Sequence, residues 1–103
     1  MPLCAYVYIL TNTRNGTLYI GVTTDICARL EEHRLRKDPK SFSSRYGLTR
    51  LVHLERYDRI TDAIDREKQL KNWKRAWKIA LIEETNPGWD DLELDALDLQ
   101  YPP

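Results

Sequence analysis

Among 103 residues there are only two cysteines, Cys4 and Cys27, and four glycines. The cysteines are far apart and form no paired metal-ligand motif, so both are read as reduced thiols. No Gly-rich phosphate loop is present, and Ser41, Ser43 and Ser44 have no nucleophile motif around them. No apolar run approaches the ~20 residues needed to span a bilayer. The start, Met1-Pro2-Leu3-Cys4, has neither a positive charge cluster nor a signal-peptide pattern. These absences exclude a membrane protein and set a cytoplasmic expectation. There is also no internal repeat and no low-complexity segment.

One further absence is regional. Residues 81–103 contain no lysine or arginine but seven acids, whereas residues 1–80 carry 16 Lys+Arg against 9 Asp+Glu. The net charge of zero thus hides a basic body and an acidic tail. Such a body can bind phosphate on one face; ordinary surface charge is the alternative. The length fits one domain, and a content of 42% hydrophobic and 31% charged residues is normal for a globular chain.

The elements follow from local pattern. Ala5 to Leu10 and Thr17 to Val22 are β-prone runs separated by Thr13-Arg14-Asn15-Gly16, so they form a hairpin. Thr23-Thr24-Asp25 offers N-caps for a helix to about Arg36. A polar, basic loop is expected through Gly47, then a strand from Arg50 to Tyr57. Thr61 is expected to cap a helix over 62–71. Another helix, over 73–84, begins at Trp73 and is ended by Asn86-Pro87-Gly88, with a short acidic helix from Trp89 onward. The order ββαβαα predicts an α/β (α+β) domain: a small three-stranded antiparallel sheet flanked by helices.

Several residues on this scaffold carry chemistry. With an even-numbered hairpin loop, Tyr8 and Tyr19 share a face close to Gly21, whose missing side chain leaves space beside two phenols. Two half-buried structural aromatics are the alternative. Arg29 and His33 lie four residues apart on one helix face, next to the apolar stripe of Ile26 and Leu30. They suit a phosphate, one as a permanent charge and the other as a proton carrier; two solvated side chains are the alternative. Ile60, Ala63, Ile64, Glu67 and Leu70 form a core-facing stripe with a carboxylate inside it. A buried carboxylate needs a cation or donors: Mg²⁺ is one solution, an ion pair with a nearby Lys or Arg the other. Trp73, Ala76, Trp77, Ala80 and Leu81 have the spacing of a core stripe. Lys68, Lys71, Lys74, Arg75 and Lys78 make a basic face that can follow a nucleic-acid backbone or simply be solvated. His53, inside a strand, is read as structural.

Together these residues resemble the GIY-YIG endonuclease superfamily, and more narrowly its small stand-alone bacterial members. Tyr19-Ile20-Gly21 matches the second signature, while Tyr6-Val7-Tyr8 stands where Gly-Ile-Tyr is usual. Thr24-Asp25-Ile26 through Arg29 and His33, the block Ala63 to Lys74, and Asn86-Pro87-Gly88-Trp89 with Asp91-Leu92 follow in family order. The resemblance covers about residues 4–92 and implies a domain at 1–92 followed by an acidic tail at 93–103. It implies a metal-dependent endonuclease hydrolysing phosphodiester bonds in DNA, with structured or branched DNA included. Glu67 would hold Mg²⁺ or Mn²⁺. Tyr8 would serve as general base, Tyr19 would orient phosphate or water, Arg29 would neutralise developing charge, and His33 would help move the proton. Gly21, Lys68, Lys71, Lys74 and the late Asn86 would contact substrate. Val22 stands where some members have lysine. A non-catalytic nucleic-acid-binding module and a protein-interaction domain are the competing readings. A protein partner supplying specificity is compatible with so small a nuclease, and the acidic tail could compete with DNA for the basic surface.

Overall fold

The computed structural model describes residues 4–35, 40–41 and 45–92. Strands β1 (Ala5–Thr11) and β2 (Leu18–Thr23) pair antiparallel, and β3 (Arg50–Tyr57) pairs antiparallel with the other edge of β1, giving the order β2-β1-β3. Helix α1 (Ile26–Leu35) follows β2; α2 (Ile60–Asn72) and α3 (Arg75–Thr85) follow β3. The small antiparallel sheet flanked by helices matches the sequence expectation.

The hairpin connection is six residues long, so it keeps the even-loop parity that puts Tyr8 and Tyr19 on one face. Its bend lies at Thr13–Gly16, where the Gly16 amide donates to the Thr13 carbonyl at 2.9 Å and Asn15 takes a left-handed φ of 58°. Asp25 caps α1 by accepting the Ala28 amide at 3.1 Å.

Alternation along β1 divides the core between the two faces of the sheet. Tyr8 and Leu10 pack with Ile26 and Leu30 of α1, while Ala5, Val7 and Ile9 pack with Ala63, Leu70 and Ile82 of α2 and α3. The register shifts between Ile9 and Leu10, which face His53 and Leu51 respectively. This bulge lets Val52 and His53 share the α2–α3 side and leaves Leu51 on the α1 side.

Four expectations need correction. Helix α2 starts at Ile60 with Arg59 as its N-cap, whose carbonyl accepts the Ala63 amide at 3.2 Å and whose side chain, having no acceptor, makes no cap. Thr61 therefore lies inside the helix. Trp73 and Lys74 are extended residues separating α2 from α3 (ψ 151° and 149°), and that break rotates the phase of α3. Ile82 becomes its buried residue, with Ile79 half-buried; of the stripe starting at Trp73, Trp73 and Leu81 are half-buried against the core, whereas Ala76, Trp77 and Ala80 face outward. Residues 45 and 46 are helical rather than loop, with the Arg45 amide on the Ser41 carbonyl at 3.0 Å.

The fourth correction concerns residues 89–92, which are not helical but are laced to β3. The Leu92 amide donates to the Leu51 carbonyl at 2.8 Å, and Asp91 accepts the Leu51 amide at 3.0 Å while pairing with Arg34. Part of the β3 edge is thereby covered. The tail at 93–103, and with it most of the expected acidic helix, lies outside the described residues.

Candidate active site

The site grows from the hairpin. Tyr8 and Gly21 are direct partners across β1 and β2. A Cβ on Gly21 would stand 2.5 Å from both Cζ and the hydroxyl of Tyr8. Glycine is therefore the residue that lets the phenol lie flat across the neighbouring strand. Tyr19 sits beside it, ring centroids 6.1 Å apart.

Helix α1 delivers His33 to the same place. Its Nε2 lies 3.2 Å from the Tyr8 hydroxyl, and its ring meets Tyr19 edge-on at 5.2 Å. Burial, then the nearby Arg29 guanidinium, hold His33 below the usual histidine value, so it is neutral at pH 7. A neutral imidazole protonated on Nδ1 accepts the Tyr8 proton at Nε2. Burial of the Tyr8 phenol, reinforced by Tyr19 and Glu67 and opposed by Arg29, pushes its pKa well above the ordinary 10. Tyr8 is thus a protonated donor at rest, aimed at a neutral acceptor.

Arg29 and Glu67 act on Tyr8 through space with opposite signs. The Arg29 side chain is half exposed and 3.9 Å from Glu32, which leaves it available to a phosphate. The Glu67 side chain is only 16% exposed, and Lys71 Nζ lies 3.4 Å from its Oε1. That i,i+4 pair is the ion-pair alternative raised by the sequence, although the lysine is more than half exposed and the pair correspondingly weak. No group of three His, Cys, Asp or Glu side chains suited to a metal occurs among the described residues.

Other residues expected to bind substrate are placed less centrally. Lys68 is exposed on α2, and Lys74 lies over the Trp77 ring at 5.6 Å. Asn86 is buried: its amide nitrogen donates to the Val52 and Asp90 carbonyls and its oxygen accepts the Asp90 amide. With those groups spent, Asn86 fastens the turn after α3 to β3. Trp89, held at φ 57° with its indole N–H on Glu83, completes that turn. Sequence reasoning missed this fastening role; the Asn-Pro-Gly turn was its one visible signal.

It also missed a second polar cluster. Glu55 accepts from His53 at 2.8 Å, Tyr57 at 2.7 Å and Arg66 at 2.9 Å, on the α2–α3 side of the sheet. Burial favours the neutral acid, yet these three donors outweigh it and hold the Glu55 carboxyl at about 2. Burial and the Glu55 charge raise Tyr57 to about 12.

The GIY-YIG catalytic domain matches residues 4–80. This chain belongs to the GIY-YIG family. A UPF0213 protein of Syntrophus aciditrophicus is 40% identical over 82 residues, 80% of this chain and 92% of that protein. A UPF0213 protein of Staphylococcus haemolyticus is 34% identical over 79 residues, 77% of this chain and 94% of its own length. The solution NMR structure of a UPF0213 protein from Bacillus halodurans superposes with a TM-score of 0.54 at 27% identity, covering 85% of this chain and 92% of that one. Nuclease activity is the function that GIY-YIG membership suggests. No helix among the described residues is long and apolar enough to cross a membrane.

Proposed function

We propose that the protein is a metal-dependent endonuclease that hydrolyses phosphodiester bonds in DNA in the cytoplasm. The observation that carries the reading is the Tyr8 hydroxyl, held over Gly21 and 3.2 Å from a neutral His33 acceptor. Passing its proton to His33 lets Tyr8 take one from an attacking water, a relay that suits groups shifted in these directions. Tyr19, packed against both rings, orients the water or the phosphate. Arg29 offsets the negative charge that builds on the phosphate oxygens.

The donor set fits Mg²⁺ or Mn²⁺ held by Glu67. A hard cation of this kind commonly takes one carboxylate and fills its remaining positions with water and phosphate oxygens. Glu67 is a mostly buried carboxylate whose partner among the described residues is a flexible lysine. When bound, such an ion would supply positive charge at the phosphate and favour ionisation of water. The Glu67 charge raises Tyr8, so neutralising that charge also makes the phenol easier to deprotonate.

Lys68, Lys71 and Lys74 would hold the DNA backbone, and a protein partner supplying specificity fits the small size of the domain. The test is cleavage of duplex, single-stranded, flapped and branched DNA with Mg²⁺, Mn²⁺ or chelator, alongside Glu67→Ala. Metal-dependent cutting, lost in a folded Glu67→Ala variant, is expected. Full activity in that variant refutes the role of Glu67. DNA binding with no cutting of any substrate would favour a binding module, and no binding at all a protein-interaction domain.

A further inference from the structure

The break between α2 and α3 leaves Trp77 on the surface beside the half-buried Trp73. Trp77 is 53% exposed, and Trp73 meets it edge-to-face at 6.1 Å. Together with Ala80, Leu81 and Glu84 they line a shallow groove of about 300 Å³.

The surroundings of this groove are strongly basic. From Arg66 to Lys78 the chain carries six Lys+Arg and a single acid, Glu67. Spatial links connect the groove to the candidate active site. Lys71 Nζ is 3.4 Å from Glu67, Lys78 Nζ is 3.4 Å from the Lys71 carbonyl, and Lys74 Nζ lies over Trp77. Arg75 anchors the start of α3 by donating to the Asn15 and Gly16 carbonyls, so the track is tied to the same hairpin that carries Tyr8.

We propose that this track is a binding surface for single-stranded DNA: the phosphates follow Lys71, Lys78 and Lys74, and an unpaired base stacks on Trp77. The proposal rests on the nuclease reading and narrows its substrate to DNA with unpaired bases beside the scissile phosphate. Charge decides between occupants. An apolar protein surface laid on Trp77 would have to desolvate the Lys74 ammonium held over that ring, whereas a polyanion releases counterions as it binds it. Base pairing decides the strandedness, since a base inside a duplex has both faces already stacked and cannot cover an indole. Glu84 at one side of the groove repels phosphate and leaves that end to bases.

The test measures binding of the full chain to a labelled oligothymidylate and to a blunt-ended, fully paired duplex of equal charge. Chelator is present so that cleavage plays no part. Trp77→Ala is expected to weaken the single strand about tenfold, within the range of base–aromatic stacking, and the duplex less than about twofold. Trp77→Phe should restore most of the loss. Lys74→Gln and Lys78→Gln should each lower the salt dependence by about one counterion. Unchanged single-strand affinity in Trp77→Ala, or an equal loss on duplex, overturns the proposal. So does a dimer, seen by sedimentation, that dissociates in Trp77→Ala without change in DNA affinity. If Trp77-dependent binding is found but no metal produces cutting, the surface stands and the nuclease reading falls.

Discussion

Each face of the sheet brings tyrosine, histidine and arginine together, and the two differ in how those groups are paired. On the α2–α3 face Glu55 sits among His53, Tyr57 and Arg66, and its two oxygens accept four bonds, two of them from Arg66 at 2.9 and 3.2 Å. On the α1 face the Tyr8 hydroxyl meets His33, while Arg29 and Glu67 influence it from a distance. A carboxylate enclosed by donors ties strand to helix, whereas a phenol beside a neutral imidazole can move a proton. Residue type alone does not separate a site from a structural network; the way the groups are paired does.

The largest effect that sharpens this comparison comes from removing one hydroxyl on each face. Tyr8→Phe should lower single-turnover cleavage by about 10²–10⁴-fold, the usual worth of a positioned proton carrier, with little change in stability. Tyr57→Phe should leave cleavage nearly unchanged and cost about 1 kcal/mol in urea unfolding. If the two variants exchanged these phenotypes, the assignment of site and scaffold would be reversed.

Next in size is a substitution that moves the phenol without removing it. A methyl at Gly21 would lie 2.5 Å from the Tyr8 Cζ and hydroxyl, so the ring has to shift. Gly21→Ala should reduce cleavage about 10²-fold, as displacement by roughly an ångström does elsewhere. Tyr8 and His33 NMR shifts should change while the circular dichroism spectrum is retained. Wild-type turnover would show that the resting position of the phenol is not the working one.

Glu55→Gln probes the closed cluster. The folded carboxyl titrates near 2, against 4.5 for the ordinary group, so its charge stabilises the fold fully above pH 4.5. That contribution disappears as the pH falls from 4.5 through about 2. At neutral pH the variant should be less stable by about 2–3 kcal/mol, and the two proteins should converge in acid. Parallel pH–stability curves would mean that the network does not hold Glu55 ionised.

The sequence displayed the α1 face well and the other poorly, for physical reasons. Tyr8, Tyr19, Arg29 and His33 sit within single elements whose periods, together with the parity of the loop, dictate which side chains share a face. Glu67 was visible because a carboxylate interrupted an apolar stripe; the sequence left its Lys or Arg partner open, and the structure makes it Lys71. The cluster of Glu55, by contrast, joins β3 to α2: strand alternation puts His53, Glu55 and Tyr57 on one face, but no local pattern announces that Arg66 meets them. The α3 stripe was misread because two extended residues, Trp73 and Lys74, reset the helical phase. A run of tryptophan, alanine and leucine has the same spacing whether it faces a core or water. Asn86 was visible as a family position, but its bonds to Val52 and Asp90 depend on tertiary contact.

The smallest effect concerns the tuning of His33. Its burial and Arg29 lower its pKa, and Glu32 raises it. The relay needs His33 neutral, so kcat/KM should be level above its pKa and fall about tenfold per pH unit below it, with the break under pH 6.5. Glu32→Gln removes the one influence that raises the imidazole, and it also frees the Arg29 guanidinium 3.9 Å away. Both changes disfavour the protonated ring, so the acid break should move to lower pH, and only slightly, because Glu32 is half exposed and solvent screens it. A break that moves toward neutral pH would assign the limb to a group other than His33. A break absent from the His33→Gln profile, but present and displaced in Glu32→Gln, would tie the limb to this imidazole and to the open face of the sheet.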